Sequence, residues 1–224
     1  MKKFFAFSQV MLALCIVCSC SESSDEDRHS SAQLIVNGHK FVDLGLPSGL
    51  LWAETNIGAA SSADDGDYFA WGETCSKTTY SWDTYKWGSS SNFSKYNYSD
   101  NKKTLEAADD AATVNWGTPC RMPDSSDFQE LYDECNWSWK SSYNGASGYL
   151  VTGPNGNTIF LPASGYRCNG DLNYHGSNGF YWSRSLYSSG TNNARSLNFG
   201  GGNVYPTYGS GRYYGFAVRP VAEQ

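Results

Sequence analysis

No lysine follows Lys140 in this 224-residue sequence, and histidine occurs only three times. His29 falls in a polar segment, so only His39 and His175 remain, too few for a metal site or a general base built on histidine. There is no GxSxG elbow, no GxxxxGK(S/T) phosphate loop and no HExxH pair, and Gly200-Gly201-Gly202 does not complete GxGxxG. Asp64, Asp65 and Asp67 miss the spacing and terminal Glu of a helix–loop–helix calcium site and read as a solvated loop. Asp109-Asp110 reads as a helix face rather than a catalytic pair. No two of Cys75, Cys120, Cys135 and Cys168 are spaced Cys-x-x-Cys, which argues against structural zinc. No apolar run is long enough to span a bilayer. Charged residues make up 17% of the chain and the net charge is −6, the wrong sign for neutralising phosphates, so nucleic acid is excluded as a partner. The sequence therefore predicts a protein without catalytic residues, metal or cofactor.

Large rings are abundant instead: aromatics reach 16%, more than one core requires. The first residues differ from the rest. Lys2 and Lys3 precede an apolar run from Phe4 to Val17, which reads as an export signal. It ends in Val17-Cys18-Ser19-Cys20, which resembles a bacterial lipoprotein cleavage site. The expectation is a signal peptide over 1–19 and lipidation of Cys20, hence membrane attachment through a lipid anchor. Residues 20–33 are polar and acidic and read as a flexible tether. Glu22, Asp25, Glu26 and Asp27 resemble the surface-export signal of Bacteroides-type lipoproteins, which implies the outer membrane and its outward face. Residues 34–224 have an even composition and suit one domain. Without Lys2 and Lys3 the chain keeps 14 basic against 22 acidic residues. Export permits disulfides among Cys75, Cys120, Cys135 and Cys168, and three pairings stay open.

Along the domain, Leu34–Val36, Asn37-Gly38 and His39–Leu44 predict a hairpin, since Asn-Gly accepts positive φ. Leu50–Ala53 predicts a short strand, and Lys86–Lys103 an irregular surface loop. One helix is expected over Leu105–Ala112. A second follows Asp124, which caps it with Asp127 at the third position, and Phe128, Leu131, Tyr132 and Cys135 form its apolar face. Gly148–Ile159 predicts a hairpin turning at Gly153–Gly156. Further strands are expected at Phe180–Trp182, Arg195–Phe199 and Gly215–Val221. The class is α+β: two helices, short antiparallel strands and long loops.

Seven blocks in order carry a resemblance over nearly the whole domain: FVDLGLPSGLLWA (41–53), GDYFAWGE (66–73), DDAATVNWG (109–117), RMPDSSDFQELYDECNW (121–137), IFLPASGYR (159–167), GFYWSRS (179–185) and GFAVRPV (215–221). Together they resemble the Fibrobacter succinogenes major paralogous domain family. Glu54 and Cys120 depart from that family's pattern, where Cys and Trp are usual. The resemblance implies a C-type-lectin-like fold, shared with the formylglycine-generating-enzyme branch and with the variable proteins of diversity-generating retroelements. In those variable proteins the stretch matching 181–221 displays hypervariable residues on a rigid scaffold.

The residues of that stretch point the same way. From Asn169 to Phe216 there are 10 Gly and 7 each of Asn, Tyr and Ser, with only Asp171, Arg184, Arg195 and Arg212 charged. Tyrosine offers broad amphipathic area at low entropic cost, and Asn and Ser adapt their hydrogen bonds, as in antibody loops; lysine is depleted at contact surfaces. Strand parity puts Leu197 and Phe199 inward and Arg195 awkwardly with them, at the rim. Trp182 is expected to pack beneath, and Arg212 and Arg219 to pin strands. Arg184 and the candidate ligand-binding residues Tyr187, Asn192, Asn193, Asn198, Asn203, Tyr205, Tyr208, Tyr213 and Tyr214 are expected to face outward. The expected function is adhesin-like binding of a protein or glycan; the Glu-Pro-Asn and Trp-Asn-Asp signatures of calcium-dependent sugar binding are absent. Two alternatives stand beside it. One is a structural or fibre-assembly surface protein. The other is an enzyme on the formylglycine-generating scaffold, disfavoured because Cys168 has no second late cysteine for a copper site.

Overall fold

The computed structural model describes residues 34–223. The expected signal segment 1–19 and the whole tether 20–33, Cys20 included, lie outside them. The described residues are 39% strand and 12% helix, a mixed, sheet-rich build with few helices and curled antiparallel sheets. No helix among them is long and apolar enough to cross a membrane.

Strands β1 (Leu34–Val36) and β2 (His39–Asp43) form the hairpin that Asn37-Gly38 predicts, with φ of 49° and 84° at the two turn residues. Strand β3 (Leu51–Ala53) pairs with β2, and the C-terminal β12 (Val221–Ala222) closes this sheet on the other side of β3. The intervening chain supplies β4 (Asn136–Tyr143), β5 (Ala146–Thr152) and β6 (Thr158–Pro162), which form a three-stranded meander. It then makes a short hairpin of β7 (Tyr166–Cys168) and β8 (Asp171–Asn173). Last come β9 (Asn178–Leu186), β10 (Asn193–Gly200) and β11 (Asn203–Gly211), a sheet with β10 in the middle.

Among the described residues there are two α-helices, α1 (Ala111–Trp116) and α2 (Ser125–Glu134). Helix α2 begins where Asp124 and Asp127 form their reciprocal capping box, as the sequence predicts. The helix expected over Leu105–Ala112 is corrected. That span holds a 3-10 turn, Ala107–Asp109, and only the first two residues of α1, because Asp110 takes an extended conformation between them and caps α1. Its carboxylate accepts from the N–H groups of Ala112 and Thr113. The Asp109-Asp110 reading is corrected with it: both are buried, and Asp109 is bonded to Lys95 at 2.5 Å and to Tyr96 at 2.6 Å. The expected strand Gly215–Val221 is buried, but only Val221 falls in a strand, β12; Gly215, Phe216 and Ala217 make isolated bridges to Arg167, Phe69 and Tyr181. The loop 86–103 is irregular as expected yet not superficial, since Phe93 and Tyr96 are buried.

Strand β9 divides the core. Trp182 packs with its neighbours Phe69, Trp71 and Phe216, and its Nε1 donates to Phe69 O at 2.8 Å. Tyr181 points the other way and joins Leu197, Phe199 and the Phe128 and Leu131 face of α2. Both late arginines are fully buried, as expected of strand-pinning groups. Arg219 donates to Asn56 Oδ1 and to the carbonyls of Ala53, Glu54 and Phe160. Burial without a carboxylate partner lowers its pKa to about 10. The cysteines left open for pairing are all free among the described residues.

Candidate functional site

Helix α2 packs against β9, β10 and β11 and covers one face of that sheet. The opposite face holds two cross-strand rows. Phe180, Asn198 and Tyr205 stand in one register, and Trp182, Ser196 and Tyr208 in the next. Between these rows β10 advances by two residues and β11 by three, so β11 carries a bulge. The segment around Phe216 covers Trp182, with the two rings stacked at 4.2 Å. What remains open is a groove over Phe180, Asn198 and Ser210.

The groove consists of two adjoining cavities of about 350 and 430 Å³, which share Phe180, Asn198 and Tyr208. Tyr205 and Tyr208 wall one side, 52% and 53% exposed. Tyr166 and Tyr214 close one end, and the Gly200–Gly202 turn the other. None of the residues lining either cavity is Asp, Glu, Lys, Arg or His. The floor is polar. Asn198 and Ser210 are only 8% and 7% exposed. Ser196 Oγ donates to Asn198 Oδ1 at 2.9 Å and lies 3.0 Å from Ser210 Oγ. Asn198 Nδ2 donates to no acceptor among the described residues. Burial, then the neighbouring Tyr214, raises the pKa of Tyr166, which keeps its hydroxyl neutral.

Of the sequence-predicted residues, Asn198, Asn203, Tyr205, Tyr208 and Tyr214 line this groove. Asn198 is corrected from an outward-facing group to a buried one on the floor, because tyrosine and phenylalanine rings on both neighbouring strands rise around it. Tyr213 is half-buried against Trp82 and Tyr214, at 4.7 and 4.2 Å, and lines neither cavity. Tyr187 is also half-buried. It stacks under Arg195 at 4.3 Å, on the α2 side of the sheet, so Arg195 does sit at a rim. Asn192 ends the connection between β9 and β10 and Asn193 opens β10; their carbonyls accept from the N–H groups of Arg212 and Tyr187, and they too line neither cavity. Arg184 is not free to face outward: Asp124 holds it through bonds of 2.9 and 2.7 Å. Sequence reasoning missed Tyr166, Phe180 and Ser210 as groove residues. Parity could have found Phe180, which alternates with the core residue Tyr181; nothing local marks Tyr166.

A separate cavity of about 440 Å³ holds Asp64, Asp65 and His175. Its carboxylates are engaged: Asp64 accepts from Ser61 N and Asp65 from His175 at 2.8 Å. Burial raises the pKa of Asp65, and His175 pulls it part of the way back. Among the described residues no group of three or more His, Cys, Asp or Glu side chains could hold a metal ion.

The comparisons with known proteins return nothing: no family model, no curated protein and no solved structure matches the chain.

Proposed function

We propose that this chain is an adhesin-like surface lipoprotein that binds a protein or glycan ligand in the groove over β9, β10 and β11. In this reading Cys20 carries the lipid anchor, the outer membrane holds it, and the domain projects from its outward face. The domain has a C-type-lectin-like fold and is kin to the Fibrobacter succinogenes major paralogous domain family. Sheet-rich architecture with two short helices supports that fold. The stretch 181–219 is then the segment that a diversity-generating retroelement varies. A reverse transcriptase gene beside a near-copy of its coding region, differing mainly at adenines, is the genomic sign of it.

The observation that carries the binding role is the pairing of two half-exposed tyrosines with a buried asparagine whose amide nitrogen has no partner among the described residues. Exposed rings offer contact area at low entropic cost, and a polar group held between them, with its amide nitrogen free, supplies direction. In this reading the role is non-catalytic, because the groove lining offers no carboxylate, imidazole, amine or thiol.

The test passes the mature chain and its Tyr205→Ala/Tyr208→Ala variant over immobilised glycoproteins and their enzymatically deglycosylated forms. Retention of the parent should fall at least about tenfold in the variant, the loss expected for one anchor contact, with thermal unfolding unmoved. Equal retention, no retention of the parent, or a variant that unfolds would overturn the reading.

A further inference from the structure

The proton count along the groove floor narrows the ligand. A carboxamide oxygen only accepts, so the single proton of Ser196 goes to Asn198 Oδ1. Ser196 Oγ then accepts from Ser210, whose one proton is used in turn. The chain Ser210 to Ser196 to Asn198 therefore runs in one direction. It leaves the Nδ2 protons of Asn198 as donors and the lone pairs of Ser210 Oγ as acceptors. Asn198 is more than nine-tenths buried as a residue, yet its Nδ2 keeps access to solvent in the groove. A ligand acceptor placed over Asn198 can take that free donor.

The rest of the lining sets the ligand class. No formal charge lines the groove, so an ionic ligand would lose its hydration without compensation. Extended peptides add to sheets at an edge, through free backbone N–H and C=O groups. Here the floor is the face of the central strand β10, whose backbone groups are taken by β9 and β11 on either side. Only side-chain amide and hydroxyl groups are on offer, set between aromatic rings. Sugar hydroxyls both donate and accept, which matches a floor with one donor group and one acceptor group. The C–H face of a pyranose packs on a ring such as Tyr208.

We propose that the groove takes a neutral saccharide, hydrogen-bonded to Asn198 Nδ2 and Ser210 Oγ and packed against Tyr208. This rests on the binding reading above and names its ligand. No carboxylate lines the groove, so the contact does not run through a side-chain-held calcium ion.

The probe is an array of neutral oligosaccharides, with hexose and N-acetylhexosamine termini, and their sialylated or sulfated counterparts, using the mature chain. The expected result is retention on a subset of neutral glycans, unchanged by chelator and changed less than about twofold between about 0.05 and 0.5 M salt, where screening would weaken ionic contacts. Ser210→Ala should lower affinity about three- to tenfold, the range for one neutral hydrogen bond. Asn198→Asp should abolish binding. Because Asn198→Asp places a charge in a buried site and can unfold the domain, the Ser210 variant decides. No retention on neutral glycans, preference for acidic ones, or full affinity in Ser210→Ala overturns the proposal. If tyrosine-dependent retention survives deglycosylation of the targets, the groove still binds but its ligand is protein, and only the saccharide assignment falls.

Discussion

Tyr205 and Tyr208 project from the same side of β11, their ring centroids 6.1 Å apart, although they are three positions apart in sequence. In a regular strand such residues face opposite ways. Only Leu197 on β10 opposes Pro206 and Thr207, so the extra residue is absorbed as a bulge and both tyrosines keep to one face. β11 is an outer strand, where a proline without an N–H is tolerated. Both rings are wet, so Tyr205→Ala and Tyr208→Ala should each change unfolding free energy by no more than about 0.5 kcal/mol. Tyr214 packs against Tyr166 and Tyr213, at 5.1 and 4.2 Å, and Tyr214→Ala should cost about 1–2 kcal/mol of ring burial. Urea unfolding separates the two classes.

Arg212 lies fully buried in an aromatic cage, 4.4 Å from the Phe93 ring and 4.9 Å from that of Trp71. It donates to Tyr85 Oη and to the carbonyls of Tyr96, Thr191 and Lys95. One side chain thus ties the 85–96 loop and the β9–β10 connection to the end of β11. Arg212→Met would leave four acceptors unpaired, and the expected loss is about 3 kcal/mol or more. Arg212→Lys should lose less, since an ammonium keeps the charge but not the fork. Denaturant midpoints for the two variants check the order.

Gly179 is required by its neighbour across the sheet. A Cβ there would sit 2.1 Å from the Phe199 ring, and Phe199 is itself wedged against Tyr149 and Tyr181. Gly179→Ala should destabilise by about 1–3 kcal/mol through overpacking, read as a lower urea midpoint with an unchanged slope.

Acid should act through Glu106. Hydrogen bonds from Lys102 and Lys95 lower its pKa from 4.5 to about 2. A carboxylate depressed on folding contributes stability above its unfolded pKa and loses it as pH falls through the folded one. The contribution is therefore complete above 4.5 and disappears towards 2. Glu106→Gln should flatten the stability–pH curve in that window and leave its shape near neutrality unchanged.

The free thiols make a further prediction. A reductant should not shift the unfolding midpoint. In native protein a thiol reagent should label the exposed Cys75 and spare the buried Cys120 until unfolding. Cys135 should react slowly, because burial and then the nearby Glu130 and Glu134 push its pKa up to about 11, leaving little thiolate. Peptide mapping after labelling assigns each site.

Local chemistry was enough wherever one or two residues dictate the backbone. Asn37-Gly38 set a turn, Asp124 with Asp127 set a helix start, and the alternation of Leu197 and Phe199 set a strand face. It was not enough where identical chemistry admits two outcomes. Asp110 looked like the middle of a helix and is the cap of the next one. Trp137 and Trp139 alternate within β4, but no residue of that strand is fully buried, so its apolar-polar contrast is too weak to mark it locally. The five tyrosines expected to stand out divide into two exposed walls, Tyr205 and Tyr208, and three packed rings, Tyr187, Tyr213 and Tyr214.

By itself the sequence determined the composition of the candidate face: poor in charge and without lysine, rich in tyrosine, asparagine, serine and glycine, and concentrated after Asn169. Only the tertiary structure decided which of those groups meet. Tyr166 and Tyr214 come together from separate segments, a bulge turns Tyr205 and Tyr208 to one side, and Asn198 is lowered between them. Those outcomes depend on register and on contacts between distant parts of the chain, which no local pattern of residues encodes.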